Sequence, residues 1–148
     1  PEAKLTRGQF IVMLMRAYGI APDTSSKDNF ADAGNTYYTG HLASAKRLSI
    51  SNGVGNNMFV PENEITRQEM FTLLYNALKV IGRLPEGTDG NSLSSFADAE
   101  SIAYWAKEAT ALMVETGIIS GNGGKLYPTN TTTRAEMAQV LYSLLSRY

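Results

Sequence analysis

Three stretches of the chain spell the same helix start: Leu5-Thr6-Arg7-Gly8-Gln9, Ile65-Thr66-Arg67-Gln68-Glu69 and Thr132-Thr133-Arg134-Ala135-Glu136. In each, the Thr before the Arg stands five positions after a proline, namely Pro1, Pro61 or Pro128. The Thr hydroxyl can accept from a backbone N–H two or three residues on, and the Gln or Glu can reach back to the Thr N–H, the reciprocal pair of a capping box. A chain that starts one helix three times is restricted to folds in which similar units stack on one another.

The copies also share an apolar stripe. Counted from the Thr, position +4 is Phe10, Met70 and Met137, position +7 is Met13, Leu73 and Val140, and position +8 is Leu14, Leu74 and Leu141. Ala17 with Tyr18, Ala77 with Leu78, and Leu144 with Leu145 extend it, which is the helical period sustained over three turns. Leu5 and Ile65 precede their caps and are expected to staple onto Phe10 and Met70; Thr132 replaces them in the third copy, whose helix start is expected to be looser.

A second repeated stretch, Phe30-Ala31-Asp32-Ala33, returns letter for letter as Phe96-Ala97-Asp98-Ala99. Each is followed by an aromatic, Tyr37 or Trp105, then a helical segment that stops at glycines, including Gly53 and Gly121, where a left-handed turn is expected. An apolar piece, a proline and the capping box follow. The unit is about 50 to 55 residues long, a plausible repeat length. On this template the chain divides into 1–20, the second half of a first unit, then 30–81 and 96–148, each a complete unit. The Gly-, Pro- and Ser-containing stretches 19–29 and 82–95 read as linkers or surface loops. The chain opens on Pro rather than Met and is read as a segment of a longer protein.

With 148 residues the chain suits one domain or a few small cooperating units. Thirteen basic and fourteen acidic residues, scattered and nearly balanced, argue against nucleic acid as a partner. No apolar run reaches the roughly 18 residues needed to span a bilayer. There is no cysteine, and His41 is the only histidine, so zinc coordination and a Ser/His/Asp arrangement are not expected, nor is any cofactor. The glycine-rich turns lack the Lys-Ser/Thr of a phosphate loop. The acid pair Asp98 and Glu100 reads better as a helix start than as a glycosidase pair, so no catalytic role is expected.

The order of signals, Phe-x-Asp, an aromatic at a helix start, Gly-Ile-Ile-x-Gly at 117–121, aromatic-Pro and Thr-Arg-Ala-Glu at 133–136, resembles the S-layer homology repeat. The resemblance spans nearly the whole chain. It implies an all-α, pseudo-threefold assembly of helix-loop-helix repeats with the first incomplete, and a bacterial cell-surface or cell-wall module that anchors an exported protein to secondary cell-wall polysaccharide, often pyruvylated. It further implies binding grooves between neighbouring repeats, with the box arginine in the groove.

Arg7, Arg67 and Arg134 stand at the first helical position, where free N–H groups and the helix dipole favour an anion and a guanidinium fork matches a carboxylate. A cation there is mildly unfavourable electrostatically, so its threefold recurrence suggests a ligand, although each Arg could instead lie in solvent or pair with an acid. Asp32 and Asp98 could accept from sugar hydroxyls or serve as caps or Asx-turn formers. Trp105 offers an apolar face with a polar N–H for a sugar ring, or a core role; Tyr37 is its weaker equivalent. The expected grooves combine Arg67 with Asp98 and Trp105, and Arg7 with Asp32 and Tyr37, leaving Arg134 without its partner. A second reading is a helical interaction or assembly module that has lost its sugar site. In that reading the apolar stripe of the helix at 133–147 needs cover from another copy or from residues outside the chain, which would allow self-association through the incomplete repeat.

Overall fold

A computed structural model describes residues 3–87 and 90–147; Pro1, used above to align the first unit, lies outside the described residues. Five α-helices carry the fold: α1 Arg7–Ala17, α2 Thr39–Arg47, α3 Arg67–Val80, α4 Lys107–Glu115 and α5 Arg134–Leu145. Three short 3-10 turns, Leu93–Ser95, Ala99–Ser101 and Tyr104–Ala106, lead into α4. Among the described residues there is no strand, only isolated bridges, so the fold is all-α as expected.

The helix starts form as their sequence dictates. The Thr6 hydroxyl accepts from Gln9 N at 3.1 Å while Thr6 N donates to Gln9 Oε1 at 2.9 Å, and Thr66 and Glu69 repeat the exchange at 3.3 and 2.8 Å. At the third start Thr133 accepts from Glu136 N, but the return bond is missing and only half a box forms.

Around these starts the chain closes a threefold ring. Leu5 N donates to Thr132 O (3.2 Å), Thr132 N to Ile65 O (3.0 Å) and Ile65 N to Leu5 O (2.9 Å), so the backbone of one residue from each unit meets its two counterparts at a common axis. Bridges between Thr6 and Glu64, Thr66 and Thr131, and Lys4 and Thr133 repeat the relation one step further out. Leu5, Ile65 and Thr132 are all fully buried there. Leu5 and Ile65, expected to act as helix staples, thus lie at the centre of the assembly, and the Thr132 hydroxyl sits there with no hydrogen-bond partner among the described residues.

Helices pair across units, α1 on α2 and α3 on α4, so the second helix of one unit covers the first helix of the next. The stripe residues Phe10, Leu14, Met70, Leu74 and Met137 are buried in one continuous core. On α5, Val140, Leu141 and Leu144 are buried too, and α5 packs against α1. Most of the stripe expected to need a second copy is therefore covered within the chain, with Leu145 at its end left exposed.

Gly8 and Gly53 have specific structural reasons. A Cβ at Gly8 would fall 2.8 Å from the Tyr38 ring and 3.2 Å from Pro61. Gly53, at φ +81°, lies so close to the Met58 carbonyl that a Cβ would come within 2.4 Å of it and 2.9 Å from the Phe30 ring.

Candidate functional site

The four backbone N–H groups that an α-helix leaves unpaired at its start must find partners elsewhere. Here they come largely from the neighbouring unit. Arg7 N donates to Asn63 O and Gly8 N to Pro61 O, Arg67 N to Asn130 O and Gln68 N to Pro128 O, and Arg134 N to Ala3 O, at 2.8 to 3.1 Å. The open helix N-termini expected to attract an anion are thus occupied by loop carbonyls, and any anion recognition falls to side chains.

The Arg7 side chain is buried and held at two of its three nitrogens. Its Nε donates to Phe59 O at 2.9 Å, its Nη1 pairs with Glu69 Oε2 at 2.8 Å, and its guanidinium carbon lies 4.5 Å from the centre of the Phe59 ring. Burial lowers the pKa of Arg7, while Glu69 and Asp32 act in the opposite sense. Arg67 repeats the arrangement one unit on: Nε donates to Leu126 O at 2.8 Å, Nη1 pairs with Glu136, and the Phe71 ring lies beneath at 5.5 Å. Glu69 therefore has two functions, capping its own helix through Oε1 and holding the arginine of the preceding unit through Oε2, whereas the Glu136 side chain holds Arg67 without closing its own box. Arg134 is exposed and has no side-chain hydrogen bond or ion pair among the described residues. Gln9 stands at its own box position where the other two boxes carry Glu.

The two aspartates support the same loops. Asp32 accepts from Phe59 N and Val60 N, both at 2.8 Å, and Asp98 from Leu126 N at 2.9 Å and Tyr127 N at 2.8 Å. Burial alone would raise the Asp98 carboxyl; the two backbone N–H groups, with Lys125 nearby, offset this and hold it below the usual carboxylate range. The residue each aspartate grips is held left-handed, Val60 at φ +52° and Tyr127 at φ +53°. For a β-branched or bulky side chain that conformation costs on the order of 1–3 kcal/mol. Charge-assisted hydrogen bonds of about 1.5–3 kcal/mol each are large enough to offset it.

Two clefts flank these clamps. The first, about 570 Å³, is lined by Arg7, Glu69, Asn52, Gly53, Asn76 and Trp105 among others, and so draws on all three units. The second, about 560 Å³, contains Lys4, Arg67, Asn122, Tyr127, Asn130 and Glu136. Of the site residues expected from the sequence, the structure links Arg7 with Asp32 and Arg67 with Asp98, in each case through a shared peptide. Trp105, 48% exposed, lines the cleft of Arg7 and not that of Arg67. Tyr37, 57% exposed, lines neither and stacks edge-on against Tyr38 at 5.1 Å.

Sequence reasoning missed several contributors. The capping box accounts for Glu69 and Glu136 locally, and only the fold shows that each pairs with the box arginine of the preceding unit. Gln68 Oε1 accepts from Ala103 N at 2.9 Å and pins the turn that carries Trp105, a bond between residues 35 apart that no local pattern reveals. Tyr38, not Tyr37, is the buried aromatic: it donates to Glu62 at 2.6 Å, which pushes its phenol up to about 12. Among the described residues no cluster of His, Cys, Asp and Glu could hold a metal ion, and no helix is long and apolar enough to cross a membrane.

Comparison with known proteins agrees with this architecture. The model of the S-layer homology domain matches residues 29–71 and 95–138. The chain is 33% identical over 141 residues to the S-layer protein sap of Bacillus anthracis, covering 95% of this chain and 17% of that protein. It is 32% identical over 149 residues to the exoglucanase XynX of Acetivibrio thermocellus, covering 99% of this chain and 13% of that protein. It therefore spans less than a fifth of the length of these relatives. A solved structure, the undecaheme cytochrome from the S-layer of Carboxydothermus ferrireducens, shares the fold at a TM-score of 0.55 and 21% identity, over 98% of this chain and 18% of that one. In enzyme relatives the match falls on the S-layer homology part, a non-catalytic module of bacterial cell-surface and cell-wall proteins. Two matched repeats covering more than half of the chain, on a ring of capping-box helices, place it plainly: the chain belongs to the S-layer homology domain family, and its location is the cell surface.

Proposed function

We propose that this module anchors at the cell surface by binding secondary cell-wall polysaccharide in the cleft of Arg7 and Trp105, with the cleft of Arg67 as a second site. The observation that carries this reading is the meeting in one cleft of a buried arginine from the first unit, a polar loop from the second and a half-exposed tryptophan from the third. An indole face packs against the C–H face of a sugar ring, and amides such as Asn52 and Asn76 supply donors and acceptors for hydroxyls.

An anionic polysaccharide, such as one bearing pyruvate ketals, suits a guanidinium whose Nε and Nη1 are fixed by the protein and whose Nη2 has no partner among the described residues. Its carboxylate would share Arg7 with Glu69, which makes the cleft selective: an anion must also satisfy the sugar contacts to bind well. Two clefts on one module strengthen retention by raising effective concentration on a polymer that repeats its epitope.

The test is binding to purified pyruvylated cell-wall polysaccharide. Arg7→Ala removes a charge-assisted bond and is expected to weaken binding roughly 10- to 100-fold. Retention equal to that of the wild type, with folding confirmed by circular dichroism, counts against this cleft.

A further inference from the structure

We infer that Asp32 is a positioning residue for Arg7: it aims the guanidinium through the Phe59 peptide and does not itself contact the sugar. This rests on the cleft reading above. The link is short and continuous. Asp32 Oδ1 and Oδ2 accept from Phe59 N and Val60 N at 2.8 Å, and the carbonyl of the same Phe59 accepts from Arg7 Nε at 2.9 Å. The Phe59 ring lies under the guanidinium as well, so a shift of this residue moves both the acceptor and the surface that hold Arg7.

The backbone here does not hold itself. Val60 at φ +52° would relax toward an extended conformation without the carboxylate, rotating the peptide that precedes it. Asp98, Leu126, Tyr127 at φ +53° and Arg67 reproduce the hydrogen-bonded linkage in the next unit, where the ring beneath the guanidinium is Phe71 of α3 rather than a gripped residue. What the two copies share is the geometry from carboxylate to peptide to guanidinium.

The sign of the effect separates this role from simple electrostatics. Removing a negative charge near Arg7 would, by Coulomb attraction alone, strengthen the binding of an anion. Loss of position predicts the reverse. Asp32→Asn, measured on the full chain against purified pyruvylated cell-wall polysaccharide, is expected to weaken binding by about ten-fold. In an Arg7→Ala background the same substitution is expected to change binding less than about two-fold, because residues acting through one group are not additive. Val60→Gly, which adopts the left-handed conformation without strain, is expected to restore binding in the Asp32→Asn protein. If Asp32→Asn does not fold, Asp32→Glu keeps the charge and displaces the carboxylate by one methylene, and the same loss of binding is expected.

Wild-type binding by a folded Asp32 variant overturns the positioning role. An equal further loss in the Arg7→Ala background overturns it too, since Asp32 would then act independently of Arg7. Wild-type binding by Arg7→Ala instead refutes the cleft reading, and the inference falls with it. Normal loss in Arg7→Ala with no loss in Asp32→Asn refutes the positioning role alone.

Discussion

Thr132 offers the sharpest test of the threefold ring. Its backbone N–H and C=O complete the hydrogen-bonded triangle with Leu5 and Ile65, yet its side-chain hydroxyl is fully buried and has no partner among the described residues where the other two units place apolar residues. An unsatisfied buried hydroxyl costs about 1–3 kcal/mol. Val has nearly the same shape and puts a methyl where the hydroxyl was, so Thr132→Val removes that cost and leaves the backbone triangle intact. A gain of about 1–2 kcal/mol is expected, and at roughly 2–4 °C per kcal/mol for a chain of this size Tm rises by about 2–8 °C. Scanning calorimetry measures the shift directly, and urea unfolding should show a higher midpoint at unchanged slope. An unchanged or lowered Tm refutes the reasoning, because the hydroxyl would then have a partner worth keeping.

Gly8→Ala sets helix propensity against packing. Propensity favours Ala by about 1 kcal/mol, but the new Cβ would lie 2.8 Å from the Tyr38 ring, and overpacking of this kind costs roughly 1–3 kcal/mol. A net loss of stability is expected in denaturant unfolding; a gain would mean that Tyr38 moves freely. Glu69→Gln retains the capping geometry, as Gln9 does in the first box, but leaves Arg7 without its anion. The free protein is expected to lose on the order of 1–3 kcal/mol, while binding to pyruvylated polysaccharide strengthens several-fold and depends more steeply on salt. Binding that weakens as in Arg7→Ala would show that Glu69 is needed to present the arginine rather than competing for it.

Much of the fold was legible because its signals are local. A capping box spans four residues and a helical stripe repeats within three turns, so α1, α3 and α5 could be placed from the order of residues alone. The left-handed glycines were legible for the same reason: Gly53 at φ +81° and Gly121 at φ +75° sit where the periodic segments stop. The arginines stood out because capping left them unexplained. Their partners did not, since Arg7 and Glu69 are 62 residues apart and Arg67 and Glu136 are 69 apart. The same limit applied to Asp32 and Asp98, whose grip on backbone 27 to 29 residues away could not be told from a local turn.

The order of residues by itself thus determined the helices, the repeat and the residue types available to a site, because hydrogen bonding and burial within a few residues depend only on near neighbours. Only the tertiary structure decided which unit meets which. Closing three units on an axis places Trp105 of the third beside Arg7 of the first, buries Thr132 where its counterparts Leu5 and Ile65 are apolar, and packs α5 against α1. These are consequences of closure, in which each interface is set by the geometry of the other two, and no local pattern encodes that constraint.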